Sequence, residues 1–442
     1  MINKDIPNYY QKRREQLMKA HEGALFVLPS QKSRLRNPDV PFSFRQESNF
    51  YYLSGFEEVD SFLVLAPATS EGTNRSILFV HPKDPHQELW EGEMYGIEGA
   101  KKYFHVDEAY PVSEFQSRLT DYISRSQEVY VTLGQDFRFD QLMIESLEKV
   151  RQKTGRSGYG LKSMHDLREP LGEMRLIKSK EEIALMKKAA EINVKAHQMA
   201  MKKVRPGMME YEVSALLNSV YESHGCPRIA YESIVGGGKN ATCLHYKANN
   251  EVLNDGDLLL IDAGGEYGYY ASDITRTFPV GTEFTQEQEK IYDIVLKAQK
   301  TTVDLVKPGV TFKELHQNSI EVITEGLMGL GFFKGPPREA IAREDYKNYY
   351  PHKIGHFLGI DVHDVGLYFD KDGEQRKLEP GMVLTVEPGI YCLPSDELCP
   401  EKYRGIGVRI EDDILVTDSG HENLTGALAK EKDDVLSLMN EE

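Results

Sequence analysis

An apolar run that stops at Asp262 and a β-rich run that contains Asp273 follow each other in the segment Asp257-Leu-Leu-Leu-Ile-Asp262-Ala-Gly-Gly-Glu-Tyr-Gly-Tyr-Tyr-Ala-Ser-Asp273-Ile-Thr-Arg-Thr-Phe278. The first run, Leu258 to Ile261, predicts a buried strand, and the glycines after it predict a turn into a second strand. A turn centred between Tyr267 and Gly268 would place Asp262 directly opposite Asp273, with Cβ atoms about 4.5–5.5 Å apart. Two buried carboxylates in that arrangement need a shared proton or a cation.

The composition limits the classes of protein to which this chain can belong. It has 442 residues, of which 40% are hydrophobic, and a formal net charge of −17. This length predicts two domains. The acidic balance argues against nucleic acid or an anionic membrane as the main partner. The N-terminus has no secretory signal and no apolar run approaches about 18 residues, so we expect a cytoplasmic enzyme without a membrane span.

The cysteines of the chain form no CxxC pair and show no zinc-binding spacing. We therefore expect four reduced thiols in a reducing compartment, at Cys226, Cys243, Cys392 and Cys399.

The pattern of elements changes near residue 172. Before this point, strands alternate with helices, which predicts a compact α/β domain. No phosphate-binding glycine motif is present there. After this point, Ser179-Lys-Glu-Glu182 predicts a capping box that opens a long helix from Glu181 to Lys202. We expect an α/β domain over 1–172 and a catalytic domain over 173–442.

A faint internal repeat runs through the second domain. Residues 203–212 match residues 305–314, each around a Pro-Gly pair, and residues 256–264 match residues 381–389. Each match is weak, but all occur in the same order. They predict two α+β halves related by a pseudo-twofold axis. Such an axis would bring four acids to one point: Asp262, Asp273, Glu387 and Glu411.

Four converging carboxylates predict a metal site. Two divalent cations balance their charge, and oxygen-rich ligands favour Mn²⁺ or Mg²⁺ over Zn²⁺. Three histidines, His352, His356 and His363, fall within twelve residues, but the neighbouring proline and glycines argue against a helical zinc motif. Arg276 and Arg409 lie close in sequence to the acids and are expected to orient them, with plain surface charges as the alternative.

The combined motifs resemble those of the pita-bread metallopeptidases, the family of methionine aminopeptidase, prolidase, aminopeptidase P and the metal-free creatinase. The resemblance rests on Asp262-x-Gly264, on Tyr270-x-Ser-Asp273-x-Thr-Arg-Thr277, on His356-x-x-Gly-x-Asp-x-His363-Asp364, on Glu387-Pro-Gly389 and on Arg409-x-Glu411-Asp412. Residues 44–56 are similar to the N-terminal domain of aminopeptidase P and prolidase. The resemblance covers nearly the whole chain. It implies an α/β N-terminal domain followed by an α+β pita-bread catalytic domain.

The resemblance also implies roles for individual residues. It implies two divalent metal ions, with Mn²⁺ expected, held by Asp262, Asp273, His356, Glu387 and Glu411. The implied catalytic residues are Glu387, which would shuttle a proton, His363, which would stabilise charge on the scissile carbonyl, and His245, which would line the cleft. The implied substrate-binding residues are His352, Arg409, Tyr391 and Tyr231.

The implied reaction is removal of the N-terminal residue from a peptide with proline in second position, by attack of a metal-bridging hydroxide on the Xaa-Pro bond. The nitrogen of this bond carries no hydrogen, and the proline ring restricts the backbone. General peptidases therefore bind it poorly. The alternatives are a prolidase restricted to Xaa-Pro dipeptides, a non-catalytic pita-bread binding module and a metal-free amidinohydrolase.

In the family, the N-terminal domain takes part in oligomer contacts and forms one wall of the substrate cleft. This implies a homodimer or homotetramer. It makes Arg45, Tyr51 and Trp90 candidates for a cleft wall, with plain core or surface roles as the alternative.

Overall fold

The computed structural model describes residues 3–68, 73–156 and 161–441. The chain divides into two compact units, Met1–Leu171 and Gly172–Glu442. In the described residues, no helix has both the length and the apolar character that a membrane crossing requires. The cysteines are all free thiols, as predicted. The helices are α1 Tyr9–Ala20, α2 Ser48–Ser54, α3 Pro85–Glu91, α4 Gly96–Tyr103, α5 Phe115–Arg125, α6 Phe137–Thr154, α7 Arg168–Leu176, α8 Lys180–Lys203, α9 Glu210–Ser223, α10 Gln286–Leu305, α11 Phe312–Gly329, α12 Pro337–Ala342 and α13 Lys432–Met439.

The first unit is built on a mixed six-stranded sheet. Its strands, with a short separate hairpin formed by β2 and β3, are β1 Ala24–Pro29, β2 Leu35–Asn37, β3 Val40–Pro41, β4 Phe62–Ala66, β5 Arg75–Val80, β6 Glu108–Pro111, β7 Glu128–Val131 and β8 Ser163–Asp166. The order in the sheet is β6-β5-β4-β1-β7-β8. The central strand β1 is antiparallel to β4 and parallel to β7. Parallel neighbours joined through helices make this the expected α/β unit.

Three residues of the first unit were candidates for a cleft wall. Arg45 donates from Nη1 to Ser48 Oγ at 2.9 Å. The ring of Tyr51 packs edge-on against Tyr10, with centroids 5.7 Å apart. Trp90 lies on α3 and is 77% exposed. Their role in a cleft wall stays a prediction.

The second unit combines helices with short antiparallel sheets. Its strands are β9 Arg228–Ile229, β10 Ile234–Gly237, β11 Leu258–Ala263, β12 Gly265–Tyr267, β13 Tyr270–Ala271, β14 Ile274–Pro279, β15 Val383–Val386, β16 Gly389–Tyr391, β17 Gly407–Arg409, β18 Asp412–Val416 and β19 His421–Asn423. The main sheets are β10-β11-β14 and β15-β18-β19. The predicted capping box is present at the start of α8, where Ser179 and Glu182 bond reciprocally.

The internal repeat appears as matching backbone hydrogen bonds. The N–H of Gly207 donates to Leu253 at 2.8 Å, and the N–H of Gly309 donates to Leu378 at the same distance. Both glycines have φ near +90°, a conformation that favours glycine over other residues. The two strands that the repeat aligns, β11 and β15, each pair antiparallel with a later strand of their half, β14 and β18. The predicted duplication is therefore confirmed.

The predicted register of the hairpin is wrong by two residues. Asp262 pairs with Thr275, not with Asp273. The reason is the turn, which is centred between Gly268 and Tyr269, with φ of 54° and 73°. Two consecutive positive φ angles are the mark of a type I′ hairpin turn. Asp273 is then a diagonal neighbour of Asp262 on the same face, still within reach of a shared contact.

Candidate metal centre

The four predicted acids all lie at strand ends or breaks. Asp262 is near the end of β11, and Asp273 immediately precedes β14. Glu387 immediately follows β15, and Glu411 lies between β17 and β18. All four line one cavity of about 900 Å³ within the second unit. Asp262 reaches the cavity from within the β11 ladder, whereas the other three acids reach it from backbone just outside a strand.

The structure brings together all five predicted metal ligands. Asp273, His356 and Glu411 offer ligand atoms that lie within 4.8 Å of one another. His356 Nε2 lies 3.5 Å from Asp273 Oδ2 and 3.6 Å from Glu387 Oε1. Asp262 joins the group through the Tyr231 hydroxyl, which donates to Asp262 Oδ1 at 2.7 Å and also to Asp273 Oδ1.

The acids carry more negative charge than the protein neutralises. In the described part of the chain, Arg409 forms the one guanidinium or ammonium ion pair with these four carboxylates, through Asp262. Burial, together with the charges of Asp273 and Asp262, raises the pKa of Glu387 to about 7, against the opposing effect of nearby cations. Burial and the neighbouring acids also raise the pKa of Glu411 well above its usual value. These raised pKa values reflect the electrostatic free energy that is needed to hold the ionised acids together without cations.

His356 responds to the same field. Burial alone would lower the pKa of His356, but its hydrogen bond to Asp273 and the charges of Glu387 and Asp273 raise that pKa to about 9. The pKa of Asp273 is lowered despite its burial, because of this contact with His356. The group thus attracts positive charge. Four carboxylates with one imidazole fit divalent ions that prefer oxygen ligands.

Arg409 connects the acids to the rest of the cavity wall. Its Nη2 donates to Asp262 Oδ2 at 2.6 Å and its Nη1 donates to the Tyr391 hydroxyl at 2.9 Å. Its Nε donates to Thr275 Oγ1 at 3.1 Å, and the Thr275 hydroxyl donates to Glu411 Oε2 at 2.6 Å. One side chain therefore orients two of the acids.

Arg276 is a buried structural cation. It donates to the backbone oxygen of Glu411 at 2.6 Å and to Asp412 Oδ1 at 2.7 Å. Asp412 also pairs with Lys430 at 2.6 Å. The interpretation of Arg276 and Arg409 as surface charges is wrong, because both are buried.

Asp413 supports Asp273 through a contact that was not predicted from the sequence. Its carboxylate accepts from the Ser272 hydroxyl at 2.8 Å and from the Asp273 N–H at 3.2 Å. It therefore holds the backbone at the point where Asp273 leaves the hairpin. The sequence does contain a signal for this contact, the run of three acids that begins at Glu411. A metal-binding role is predicted from the sequence only for the first of them.

The other predicted histidines border the same cavity. His352 Nε2 lies 2.8 Å from the Tyr391 hydroxyl, and burial lowers the pKa of His352 to about 3. The ring of His363 packs edge-on against His356, with centroids 4.3 Å apart. His245 lies on the cavity wall.

Tyr231 was predicted to bind substrate. It lines the cavity, but its hydroxyl is directed at two carboxylates. Further lining residues were not predicted, because nothing in their spacing marks them: Glu232, Ile234, Leu244, Lys247, Lys353, Val362 and Tyr368.

Comparison with known proteins identifies the class. Residues 184–418 match metallopeptidase family M24, and residues 10–130 match the N-terminal domain of aminopeptidase P. The chain belongs to metallopeptidase family M24. This family assignment and the acidic cluster together support the use of divalent metal.

The individual relatives are similar over almost their full length. The chain is 41% identical to the Xaa-Pro aminopeptidase of Escherichia coli, over 97% of both chains. It is 43% identical to the Xaa-Pro aminopeptidase of Haemophilus influenzae, over 94% of this chain and 93% of the relative. The solved aminopeptidase PepP of Pseudomonas aeruginosa superposes with a TM-score of 0.95 at 41% identity, covering 99% of each chain.

Proposed function

We propose that this chain is a Xaa-Pro aminopeptidase, which releases the N-terminal residue from peptides with proline in second position. The observation that carries the proposal is the meeting of Asp273, His356 and Glu411 within 4.8 Å, beside Asp262 and Glu387 in one cavity. Near-full-length relatives that bear this name support the substrate class.

The acidic cluster would hold two divalent ions, which we propose to be Mn²⁺. Asp262 and Asp273 would bind one ion, and His356 and Glu387 would bind the other. Asp273 and Glu411 would be shared between the two. When bound, such ions supply a water with a lowered pKa and a positive field for a substrate oxygen.

Glu387 is suited to move a proton. Its carboxylate lines the cavity, within 3.6 Å of His356 Nε2, and a carboxylate placed beside the reacting groups can act as a general acid and base. It would take a proton at its carboxylate and return it to the nitrogen of the leaving proline. The return step matters here because the Xaa-Pro nitrogen becomes a secondary amine on cleavage.

The histidines and Arg409 would recognise the rest of the substrate. The His363 ring lines the cavity and packs against His356, so its imidazole N–H would donate a hydrogen bond to the scissile carbonyl. His352, Tyr391 and Arg409 form one hydrogen-bonded row, of which His352 and Arg409 line the cavity. We propose that this row, with Tyr231, shapes the proline subsite, and that His245 borders it.

The two-domain division belongs to the proposal. Residues 1–172 would be the N-terminal domain and residues 173–442 the catalytic domain. The two compact units and the separate family matches support this division. We further propose a cytoplasmic homodimer or homotetramer, to be tested by cell fractionation and by light scattering.

A substrate-length series tests the function. We expect Mn²⁺-dependent release of arginine from an Arg-Pro-Pro-type tripeptide, and loss of activity in EDTA. Cleavage of Xaa-Pro dipeptides with none of the tripeptide would assign the chain to prolidase instead. A protein that hydrolyses neither substrate at any Mn²⁺ concentration overturns the proposal in favour of a binding module.

A further inference from the structure

His363 lies on an irregular loop, whose position is fixed by contacts with neighbouring elements and not by a helix or strand of its own. Residues 358–368 belong to no regular element in the described structure. The next residue, Asp364, is buried at the cavity wall, and its carboxylate is paired with Lys178 and Arg175. Its N–H donates to the backbone oxygen of Phe357 at 2.9 Å. The side chain of Asp364 is therefore the anchor nearest to His363.

Two buried cations hold that anchor. Lys178 Nζ lies 3.0 Å from Asp364 Oδ2, and Arg175 Nη2 lies 2.5 Å from Asp364 Oδ1. Arg175 also pairs with Asp361 at 2.7 Å, earlier on the same loop. The side chains of Lys178, Arg175 and Asp364 are at most 2% exposed. Burial removes the screening that weakens surface ion pairs, so the geometry of these pairs is strongly determined.

The residues around this network are closely packed. A Cβ added to Gly359 would approach Asp364 Oδ2 to 2.1 Å and Lys178 Cε to 3.1 Å. A Cβ on Gly366 would approach Leu176 Cδ1 to 2.8 Å. The segment 175–178 therefore contacts the loop on both sides of His363.

The same segment also holds a metal-centre strand. The N–H of Lys178 donates to the backbone oxygen of Gly381 at 2.9 Å, directly before β15, which leads into Glu387. Through its side chain, Lys178 fixes the His363 loop. Through its backbone, it fixes the strand of Glu387. One residue thus links the positions of the two groups.

We propose that Lys178 and Arg175 are positioning residues, which act through Asp364 to hold the His363 imidazole in place against the metal-centre acids. Neither residue lines the cavity, so neither touches the substrate. This inference rests on the proposed function for the role of His363. A displacement near 1 Å can cost about a hundredfold in rate, so loss of one of two anchors is expected to have a measurable effect.

The test is a double-mutant cycle on the Mn²⁺-loaded full-length enzyme. Lys178→Met removes one of the two cations of Asp364 and leaves its ion pair with Arg175, which Asp364 shares with the partly exposed Asp361. We expect kcat to fall about tenfold or more, with KM and bound metal within about twofold. In a His363→Ala background, the same substitution should change kcat by less than about twofold, because its effect passes through the missing imidazole.

Glu173→Gln is the matched control. Glu173 lies on the same segment and forms a two-pronged ion pair with Arg376, with both distances at 2.7 Å, but it does not contact Asp364. It should leave kcat unchanged in both backgrounds. If Lys178→Met does not fold, Asp361→Asn replaces it, since Asp361 is 35% exposed and its loss is milder. We then expect a smaller fall in kcat that also disappears in the His363→Ala background.

Equal losses of kcat in both backgrounds, or no loss in either, would overturn the inference. A crystal structure of Lys178→Met gives a readout independent of activity. We expect the His363 ring to leave its 4.3 Å packing distance from His356, and an unmoved ring contradicts the inference. If the wild-type chain cleaves no Xaa-Pro peptide, the proposed function fails, and this crystallographic comparison still decides the positioning role.

Discussion

Arg409 donates from Nη2 to Oδ2 of Asp262 at 2.6 Å, and Arg409 is only 3% exposed. The same guanidinium bonds Tyr391 and Thr275. It is therefore both the counter-charge of one metal-centre acid and a link to the cavity wall. Most of the remaining negative charge must be met by cations that the protein binds from solution.

Removing this guanidinium should destabilise the fold. Arg409→Met leaves Asp262 buried beside other acids without its partner, which is expected to cost about 3–5 kcal/mol. Urea unfolding in EDTA measures the difference. Arg404→Met is the control, since Arg404 bonds backbone oxygens of a partly exposed loop. Equal midpoints for wild type and Arg409→Met would show that the pair is energetically unimportant.

Metal binding should stabilise the protein. The acids repel one another without cations, and a ligand present at a hundred times its Kd adds about 2.7 kcal/mol to the folded state. We expect Mn²⁺ to raise Tm and EDTA to reverse the rise. Elemental analysis should find about two ions per chain. A Tm that does not respond to Mn²⁺ would contradict the metal centre.

Asp273 is expected to be shared between the ions. Asp273→Asn removes one charge from the group of four and should abolish activity while lowering metal content. Asp293→Asn, on the exposed pair with Lys432, should change neither quantity. Retention of full activity and both ions by Asp273→Asn would exclude a shared role.

His363 should affect rate more than folding. It is exposed to the cavity and its loop is anchored by Asp364, so His363→Ala should fold normally. Loss of one donor to a developing oxyanion costs about 10²–10³ in kcat. We expect that loss with unchanged metal content, and no loss for His224→Ala at an exposed helix end. A rise in KM with an unchanged kcat would instead assign His363 to substrate binding.

His197 should make stability depend on pH. It is buried on α8, and burial lowers its pKa to about 3. The unfolded chain takes up a proton below about pH 6.5, whereas the folded chain resists it. Stability is therefore complete above pH 6.5 and lost progressively as the pH falls towards 3, by at most about 1.4 kcal/mol per pH unit.

A comparison of variants isolates this effect. Urea unfolding of wild type and His197→Asn between pH 7 and pH 5, both in EDTA, should show a steeper decline for the wild type. Parallel declines would mean that His197 is not the group responsible.

Several features could be read from local sequence because they depend on local physics. The apolar run before Asp262 predicted a buried strand, and Ser179 with Glu182 predicted a helix start. The Pro-Gly pairs marked the repeat. The register of the hairpin could not be read in this way, because the left-handed conformation of Tyr269 is rare for a residue with a Cβ and moved the turn by one residue.

The supporting contacts of the site were beyond sequence reasoning for a different reason. Asp413 reaches Asp273 across 140 positions, and Lys178 reaches Asp364 across 186. No periodicity connects residues so far apart, since packing of separate elements decides which of them meet.

The hairpin at 257–278 and its counterpart ending at Glu387 determined, from sequence alone, that acids stand at strand ends in two related halves. This follows because burial patterns and turn chemistry are local properties. Only the tertiary structure decided how the acids meet: Asp262 against Arg409 and Tyr231, Asp273 against His356 and Tyr231. Those distances are set when two halves pack face to face, and buried charge selects the partners because an unpaired carboxylate there costs too much free energy to persist.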